Sequence, residues 1–340
     1  MIWLTWRQFR VQAIVTGAAL LVLAIYLILL GLDVRDSYDA ALARCGGGAG
    51  GGTGGGGAGG GTGGACTSMT EFQDEFRLRL RLLGVLLLVA PGLLGMFWGA
   101  PLVAREYEAG THRLVWSQSV TRRRWLAVKL LVVGLAAMAA TGLAGLLLTW
   151  AAGPFDQVAG DRFDTTQFAA RHIVPVAYAA FAFTLGAALG LLLRRTVPAM
   201  ALTLVVFTVV QVAGPTMVRP HLVTPVETTR PMTTEAIKSL QLLGRNANIG
   251  GLRIPDAWVV STSRLLTPDG RPIDNARYEK CLTGALGDAA VCLDALDLHV
   301  EVAYQPGDRY WTFQWLESAI FLALSALLAS GALWRLRRRP

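Results

Sequence analysis

The sequence predicts an all-α polytopic membrane protein with six transmembrane helices and a small extracytoplasmic α+β insertion between helices 5 and 6. Hydrophobic residues make up 53% of the 340 residues and charged residues only 16%, whereas charged residues are about a quarter of a typical soluble domain. Mean hydropathy is +0.46. The apolar residues also collect into long runs rather than amphipathic stripes. This composition argues against a soluble enzyme and against a disordered chain.

Six apolar runs are long enough to cross a bilayer, whose hydrocarbon core needs about 20 consecutive apolar residues per helix. None of the six contains Lys, Arg or Asp. Glu317 is their single carboxylate, about one turn inside the last run, and we expect it to meet water or an arginine of an outer loop. The predicted spans are residues 13–32, 82–103, 130–152, 172–193, 197–218 and 313–334.

The basic residues predict the orientation, because Lys and Arg are retained on the cytoplasmic side in short loops. An even number of spans puts both termini on one side, and that side carries fourteen basic residues against the carboxylates of Glu106 and Glu108. Both termini are therefore predicted to be cytoplasmic. The net charge of +8 is then a topology signal and not a nucleic-acid-binding patch. The basic residues are Arg7, Arg10, Arg105, Arg113, Arg122, Arg123, Arg124, Lys129, Arg194, Arg195, Arg335, Arg337, Arg338 and Arg339.

Both cytoplasmic ends of the chain have a predicted structure. Residues 1–12 are predicted to form an interfacial helix, since Trp3, Trp6 and Phe9 recur at helical spacing beside arginines that can snorkel. The alternative is a simple extension of the first spanning helix. Residues 335–340 form a basic tail.

Two segments are predicted to lie outside the membrane. Within loop 33–81, residues 46–65 are almost only Gly and read as a flexible tether; a phosphate-binding loop is excluded because the run has no Lys. Arginines 77, 79 and 81 suggest a short interfacial helix before span 2. The domain 219–312 is predicted to contain a hairpin, with a strand at 258–262, a turn at 268–270 and a return at 271–273, beside a helix around 276–286. An irregular linking loop is the alternative.

The four cysteines fall in these two outer segments, Cys45 and Cys66 in the first and Cys281 and Cys292 in the second. Because both pairs would face an oxidising compartment, we predict Cys45–Cys66 and Cys281–Cys292 disulfides. Unpaired thiols are the alternative. No metal site is predicted, since there is no CxxC and the four histidines are scattered.

The cytoplasmic loop 104–129, between spans 2 and 3, carries the most specific pattern in the chain. It resembles the permease subunits of ABC-2 type transporters, which have R-E-x-E-x-G-T after the second span, then a Leu, a Ser, a basic cluster and a Lys opening the third. The opening W-L-T-W-R-Q and closing F-Q-W-L-E segments are similar to a subgroup common in high-GC bacteria. The matching loop residues are Arg105, Glu106, Glu108, Gly110, Thr111, Leu114, Ser117, Arg122 and Lys129.

The resemblance implies a permease in the bacterial plasma membrane that pairs with a second permease chain, as a homodimer or heterodimer. A separate ATPase subunit would carry ATP and Mg, and no cofactor is expected on this chain. A short coupling helix near residues 108–119 would dock on that ATPase, with Leu114 and Trp116 as apolar anchors, Gly110 allowing a tight turn and charged residues making ion pairs. A solvated loop that only anchors the topology is the alternative. The partner-binding residues would be Glu106, Glu108, Gly110, Thr111, Arg113, Leu114, Trp116 and Ser117.

The energy source is predicted from the ionisable residues, because no such residue lies deep inside the predicted spans. Ion-driven carriers usually place ionisable residues inside their spans, and none lies near the midplane here, so an external ATPase is the simplest motor. The resemblance implies outward transport of a hydrophobic or amphiphilic substrate. A membrane-embedded enzyme is disfavoured, because neither HExxH nor GxSxG occurs. A membrane-anchored sensor or assembly protein that uses the outer domain remains an alternative.

Overall fold

The fold is that of a computed structural model, which describes residues 2–47, 66–110, 121–160, 162–240, 242–243, 249–250, 252, 254, 256–282 and 286–336. Within these residues six helices are long and apolar enough to cross a membrane, which confirms the predicted number. We number these spans 1 to 6 in chain order. They are Arg10–Gly46, Thr67–Glu108, Arg123–Ala159, Val174–Leu193, Thr196–His221 and Gly307–Arg335.

The chain divides into two compact units. The first holds residues 1–159, 165–215 and 312–340, and the second holds residues 160–164 and 216–311. The helices of the first unit are α1 (Ile2–Gly47), α2 (Thr67–Leu94), a π-helical segment (Gly95–Gly99), α3 (Ala100–Glu108), α4 (Arg122–Ala159), α5 (Thr165–Ala170), α6 (Val174–Leu193) and α7 (Thr196–Ala213). After α7 come a π-helical segment (Gly214–Val218) and a 3-10 turn (Arg219–His221).

Helices α1 and α2 continue far beyond the predicted apolar runs. Helix α1 has 46 residues, or about 69 Å at 1.5 Å per residue, roughly twice the thickness of a hydrocarbon core. Residues 33–47 and 67–81 were predicted as loop but are helical. Their buried side chains recur at helical spacing in one apolar cluster, Val34 and Ala41 on α1 with Phe72 and Phe76 on α2. The contact between these two amphipathic faces stabilises the helical conformation of both segments, although their mean hydropathy is too low to indicate a span.

The tips of these two helices are tied together. Cys45 and Cys66 form the predicted disulfide, with a Cα–Cα distance of 5.9 Å. Arg79 lies within the continuous helix α2, 3.5 Å from Asp33 and 3.7 Å from Glu75, so the short separate helix predicted around it is wrong. The tether residues 48–65 lie outside the described residues.

At its other end, α1 begins at Ile2 and runs without a break into span 1. This continuity is the alternative that the sequence left open for residues 1–12. Their placement at the membrane interface stays a prediction.

Helix α6, which is span 4, is the central helix of the first unit. Of the residues in its most apolar stretch 72% are buried, against 11% for span 1. Glycines bring its backbone against the π-helical segment of span 2. A Cβ added at Gly186 would stand 2.8 Å from Ala100 N, and one added at Gly99 would stand 3.2 Å from Phe183 C. A larger residue at these positions would push the two backbones apart.

The second unit contains the small α+β insertion that the sequence predicts. Its three-stranded antiparallel sheet has the order β1–β5–β4, and Tyr278, Leu293, Val300 and Val302 pack in its apolar core. Its strands are β1 (Val226–Pro231), β2 (Leu242–Leu243), β3 (Ile249–Gly250), β4 (Ala257–Thr262) and β5 (His299–Pro306). Its helices are α8 (Thr234–Ser239), α9 (Asn275–Cys281) and α10 (Leu286–Asp294), and α11 (Tyr310–Arg335) follows as span 6.

The predicted hairpin is wrong in its partner strand. The turn is present, with Gly270 N donating to Thr267 O at 2.8 Å and Gly270 at φ +71°. However, β4 pairs with β5, and the return segment makes only an isolated bridge between Leu266 and Pro272. Pro272 has no backbone N–H to continue a ladder, whereas the eight residues of β5 offer a full strand.

The predicted helix around 276–286 is shorter than expected. Helix α9 ends at Cys281 and a second helix begins at Leu286. Cys281 and Cys292 form the second predicted disulfide at a Cα–Cα distance of 5.4 Å, which joins α9 to α10.

Candidate functional site: the base of the loop between spans 2 and 3

The loop between spans 2 and 3 leaves the helices at a glycine. Helix α3 ends at Glu108, and Gly110 has φ +67°. A left-handed residue after the last helical turn is a common way to end a helix, and glycine adopts it without steric cost. Gly110 N donates to Tyr107 O at 3.3 Å. The chain is next described at Thr121, just before α4, so α3 and α4 form the two sides of the loop base.

A buried ion pair joins these two sides. Lys129 Nζ on α4 contacts Glu106 Oε1 on α3, and the two residues are only 3% and 8% exposed. Lys129 Nζ also lies 4.6 Å from the ring centroid of Trp125, which is 1% exposed. An ammonium over an indole face is favourable and replaces part of the hydration lost on burial. The pair therefore fixes spans 2 and 3 to each other immediately beside the loop.

Glu108 joins the same base to span 5. Its Oε1 accepts a hydrogen bond from Thr196 N at 2.9 Å, and its Oε2 accepts one from Thr196 Oγ1 at 2.5 Å. Thr196 is the first residue of α7, so this carboxylate occupies the N-terminus of a helix, where negative charge is stabilised by the helix dipole. The connection just before it contains Arg194, whose left-handed conformation (φ +55°) ends α6 and whose Cζ lies 5.4 Å from the Tyr107 ring centroid.

Beneath these polar contacts, an apolar cluster joins the ends of spans 2, 3, 4 and 6. Its buried members are Val103, Trp125, Leu126, Leu191, Ala332 and Leu336. We call this part of the first unit the basic end, because Arg105, Arg123, Arg124, Arg194, Arg195 and Arg335 lie there. Four spans thus meet under the loop, and movement of its base cannot be confined to one helix.

The predicted partner-binding residues divide into two groups. Glu106, Glu108 and Gly110 are described, and they lie at the loop base: Glu106 is buried against Lys129, and Glu108 faces Thr196. The other five, Thr111, Arg113, Leu114, Trp116 and Ser117, lie outside the described residues.

The sequence interpretation missed the contacts that the two glutamates make within the chain. Lys129 was noted as a basic residue, and Trp125 and Thr196 were assigned no role. The available signal was a lysine directly before the third apolar run, with apolar residues on both sides of it; a lysine that is buried there needs a partner.

A second group of polar side chains lies inside spans 4 and 6. Tyr178 Oη donates to Glu317 Oε1, and Glu317 is 4% exposed. Glu317 therefore does not meet bulk water, and that part of the expectation is wrong; an outer-loop arginine as a further partner stays a prediction. Gln314, one turn earlier, accepts a hydrogen bond from Val174 N at 3.3 Å and donates one to Phe168 O at 3.1 Å. These bonds join span 6 to span 4 by polar contacts in an otherwise apolar region.

An apolar cavity of about 330 Å³ lies between spans 1, 2 and 3. Its walls come from Leu20 and Leu23 on α1, Leu87 and Phe97 on span 2, and Ala144 on span 3. Among its polar lining groups, Thr141 Oγ1 is already bonded to Ala137 O at 3.1 Å. The cavity is therefore suited to hydrocarbon rather than to a charged group.

Comparison with known proteins agrees with the resemblance seen in the loop. A family model described as ABC-2 membrane transporter related matches residues 17–219. The match runs from span 1 through span 5 and includes the whole loop base. No curated protein and no solved structure matches the chain. The matched region is more than half of the 340 residues, and the chain therefore belongs to the ABC-2 membrane transporter related family.

Proposed function

We propose that this chain is the membrane-spanning permease subunit of an ATP-binding cassette exporter. A separate ATPase subunit binds ATP and Mg and supplies the energy, and this chain moves a hydrophobic or amphiphilic substrate outward. Proteins of this family are typically non-catalytic permease components. The observation that carries the proposal is the loop base, where Glu106 and Glu108 connect one loop to two further spans.

The mechanism begins at the loop. The ATPase docks on residues 110–117, with Leu114 and Trp116 as apolar anchors and Arg113 as a charged partner. When ATP binding closes the ATPase, the loop is displaced. The Glu106–Lys129 pair passes this displacement to span 3, and the Glu108–Thr196 bonds pass it to span 5. In this scheme Glu106 and Glu108 position the loop, and the apolar residues of the loop make the contact.

The cavity between spans 1, 2 and 3 supports the proposed substrate class. Its volume of about 330 Å³ and its apolar walls suit the hydrocarbon part of an amphiphile. Two permease chains, alike or different, would enclose the transport pathway, and each would recruit one ATPase. Both termini and the basic end face the cytoplasm in this arrangement, because Lys and Arg are retained there.

Co-purification tests the docking step. The full chain is expressed with a candidate ABC ATPase subunit, and the amount of ATPase recovered is measured for Leu114→Asp with Trp116→Ala. We expect at least a tenfold loss, since removing two central apolar anchors costs several kcal/mol of binding. Trp315→Ala is the matched control, because Trp315 is an exposed tryptophan (65%) in span 6.

Unchanged recovery of the ATPase with the double variant would refute the docking site. If no ATPase associates with the wild-type chain, and vesicles show no ATP-dependent efflux, the sensor or assembly function of the outer domain would replace the transport proposal. Thiol labelling of a cysteine placed at residue 115 tests the orientation in intact cells. Labelling from outside would contradict it.

A further inference from the structure

An open cleft lies at the basic end, between the start of span 3 and the end of span 6. Its volume is about 680 Å³, within the range of small-molecule sites. Its walls are Thr121, Arg123, Arg124 and Ala127 on one side and Ser330, Leu333 and Trp334 on the other. The cleft is separate from the Glu106–Lys129 pair and takes no part in the coupling route described above.

The charge in the cleft is of one sign. Arg123 and Arg124 both line it, and no carboxylate occurs among its described lining residues. Arg123 Nε is buried and has no hydrogen-bond partner among the residues that the structure describes. A buried guanidinium N–H without an acceptor is costly, and an anion bound in the cleft would stabilise the charge of this guanidinium.

Neutral groups in the cleft add donors suited to a phosphate. Thr121 Oγ1 accepts a hydrogen bond from the backbone N–H of Arg124 at 3.4 Å. The hydroxyl proton of Thr121 can then be donated to a ligand oxygen. Ser330 is exposed on the opposite wall and brings a second hydroxyl. Arginine forks and hydroxyls together match the several acceptor oxygens of a phosphate group.

The remaining walls indicate that a lipid presents this phosphate. Leu333 and Trp334 line the cleft from span 6, and Trp334 is 51% exposed. Trp at the end of a spanning helix sits at the level of lipid headgroups, and basic pockets between spanning helices on the cytoplasmic side bind anionic headgroups. A free phosphate would need no apolar wall.

We propose that the cleft formed by Thr121, Arg123, Arg124, Ser330 and Trp334 binds the phosphate of an anionic phospholipid headgroup. The bound lipid links the start of span 3 to the end of span 6. This cleft is distinct from the cavity between spans 1, 2 and 3 that we propose for the transported substrate.

Lipid retention tests the proposal on the full chain purified in detergent. Phosphatidylglycerol, phosphatidylcholine or inorganic phosphate is added, and bound molecules are counted by native mass spectrometry. We expect tight retention of one phosphatidylglycerol, weak retention of phosphatidylcholine, and no displacement by millimolar inorganic phosphate. Each basic residue near an anionic headgroup contributes to the binding free energy of the lipid. Arg123→Gln with Arg124→Gln should therefore weaken phosphatidylglycerol binding roughly 30-fold.

Arg77→Gln with Arg81→Gln is the matched control, since both arginines are exposed on α2 and lie outside the cleft. An equal loss in this control would overturn the site, because the effect would then be one of net charge. Equal retention of phosphatidylcholine would also overturn it. Displacement of the lipid by inorganic phosphate would overturn the lipid as the source. If the double variant does not insert, each single substitution should give a fall of roughly fivefold, and no fall in either would refute the proposal.

Discussion

Replacement of Lys129 tests whether the buried pair at the loop base is an energetically coupled unit. Lys129→Met keeps most of the length and apolar stem of the side chain but removes the ammonium. The carboxylate of Glu106 is then left in a position where only 10% of its side chain is exposed. Glu106→Gln removes the opposite charge, and the double variant Glu106→Gln with Lys129→Met removes both.

The expected magnitudes follow from the burial of the two partners. Removing one member of a buried ion pair costs about 3–5 kcal/mol, whereas replacing both with neutral groups is often nearly neutral. Lys129→Met should be the least stable variant. Glu106→Gln should be milder by about 0.5–2 kcal/mol, because the ammonium that remains still faces the Trp125 ring at 4.6 Å. The double variant should recover most of the loss.

Thermal unfolding of the purified full chain, followed by tryptophan fluorescence, provides the measurement. A loss of 3–5 kcal/mol corresponds to a fall in Tm of roughly 6–20 °C for a unit of about this size. Arg77→Met is the control, since it removes an exposed positive charge from the same unit. The reasoning is refuted if the double variant is as unstable as the sum of the two single variants, because the charges would then be independent.

Three further predictions concern packing, the second disulfide and titration. Gly186→Ala should lower stability by about 1–3 kcal/mol through overpacking against Ala100. In the control Gly331→Ala the added methyl group meets nothing within 4 Å, so Tm should be unchanged or slightly higher. Equal effects of the two substitutions would contradict the backbone contact. Cys281→Ser should cost about 2–3 kcal/mol in the unfolding of the second unit and should make its protease sensitivity independent of reductant, so a variant that still responds to reductant would argue against this pairing. Burial raises the pKa of the Tyr278 phenol, so the phenol of the unfolded chain loses its proton at a lower pH than that of the folded chain. The free energy of unfolding should therefore fall as pH rises above about 10. Tyr278→Phe should reduce the slope of this fall, measured by urea unfolding between about pH 9 and 11.

Hydropathy alone was sufficient for the membrane part of the fold, because a spanning helix must carry its apolar residues in one continuous stretch. It could not reveal the helical parts at residues 33–47 and 67–81. There, Val34, Phe72 and Phe76 are apolar positions separated by polar ones, and their stability depends on contact between two segments that are distant in sequence. An amphipathic period in both segments was the signal, and a search for continuous runs does not detect it.

The loop base was predictable in position but not in its contacts. The R-E-x-E pattern indicated where the chain would turn, and Gly110 does end the helix. Which way each carboxylate points depends on how α3 packs on α4 and α7, and one sequence contains no record of that packing. The pairing of β4 with β5 was missed for the same reason, since the partner strand lies 37 residues after Thr262.

The glycine contact between spans 2 and 4 constrains how a transport pathway can open. Where two helix backbones touch at Gly99 and Gly186, even a small tilt would either force main-chain atoms together or leave an unfilled gap, and neither is compensated by side-chain rotation. We therefore expect these two helices to travel as one rigid body. The hinge of the proposed exporter would then lie along the seams of the loosely enclosed spans 1 and 5, in whose most apolar stretches only 11% and 17% of the residues are buried.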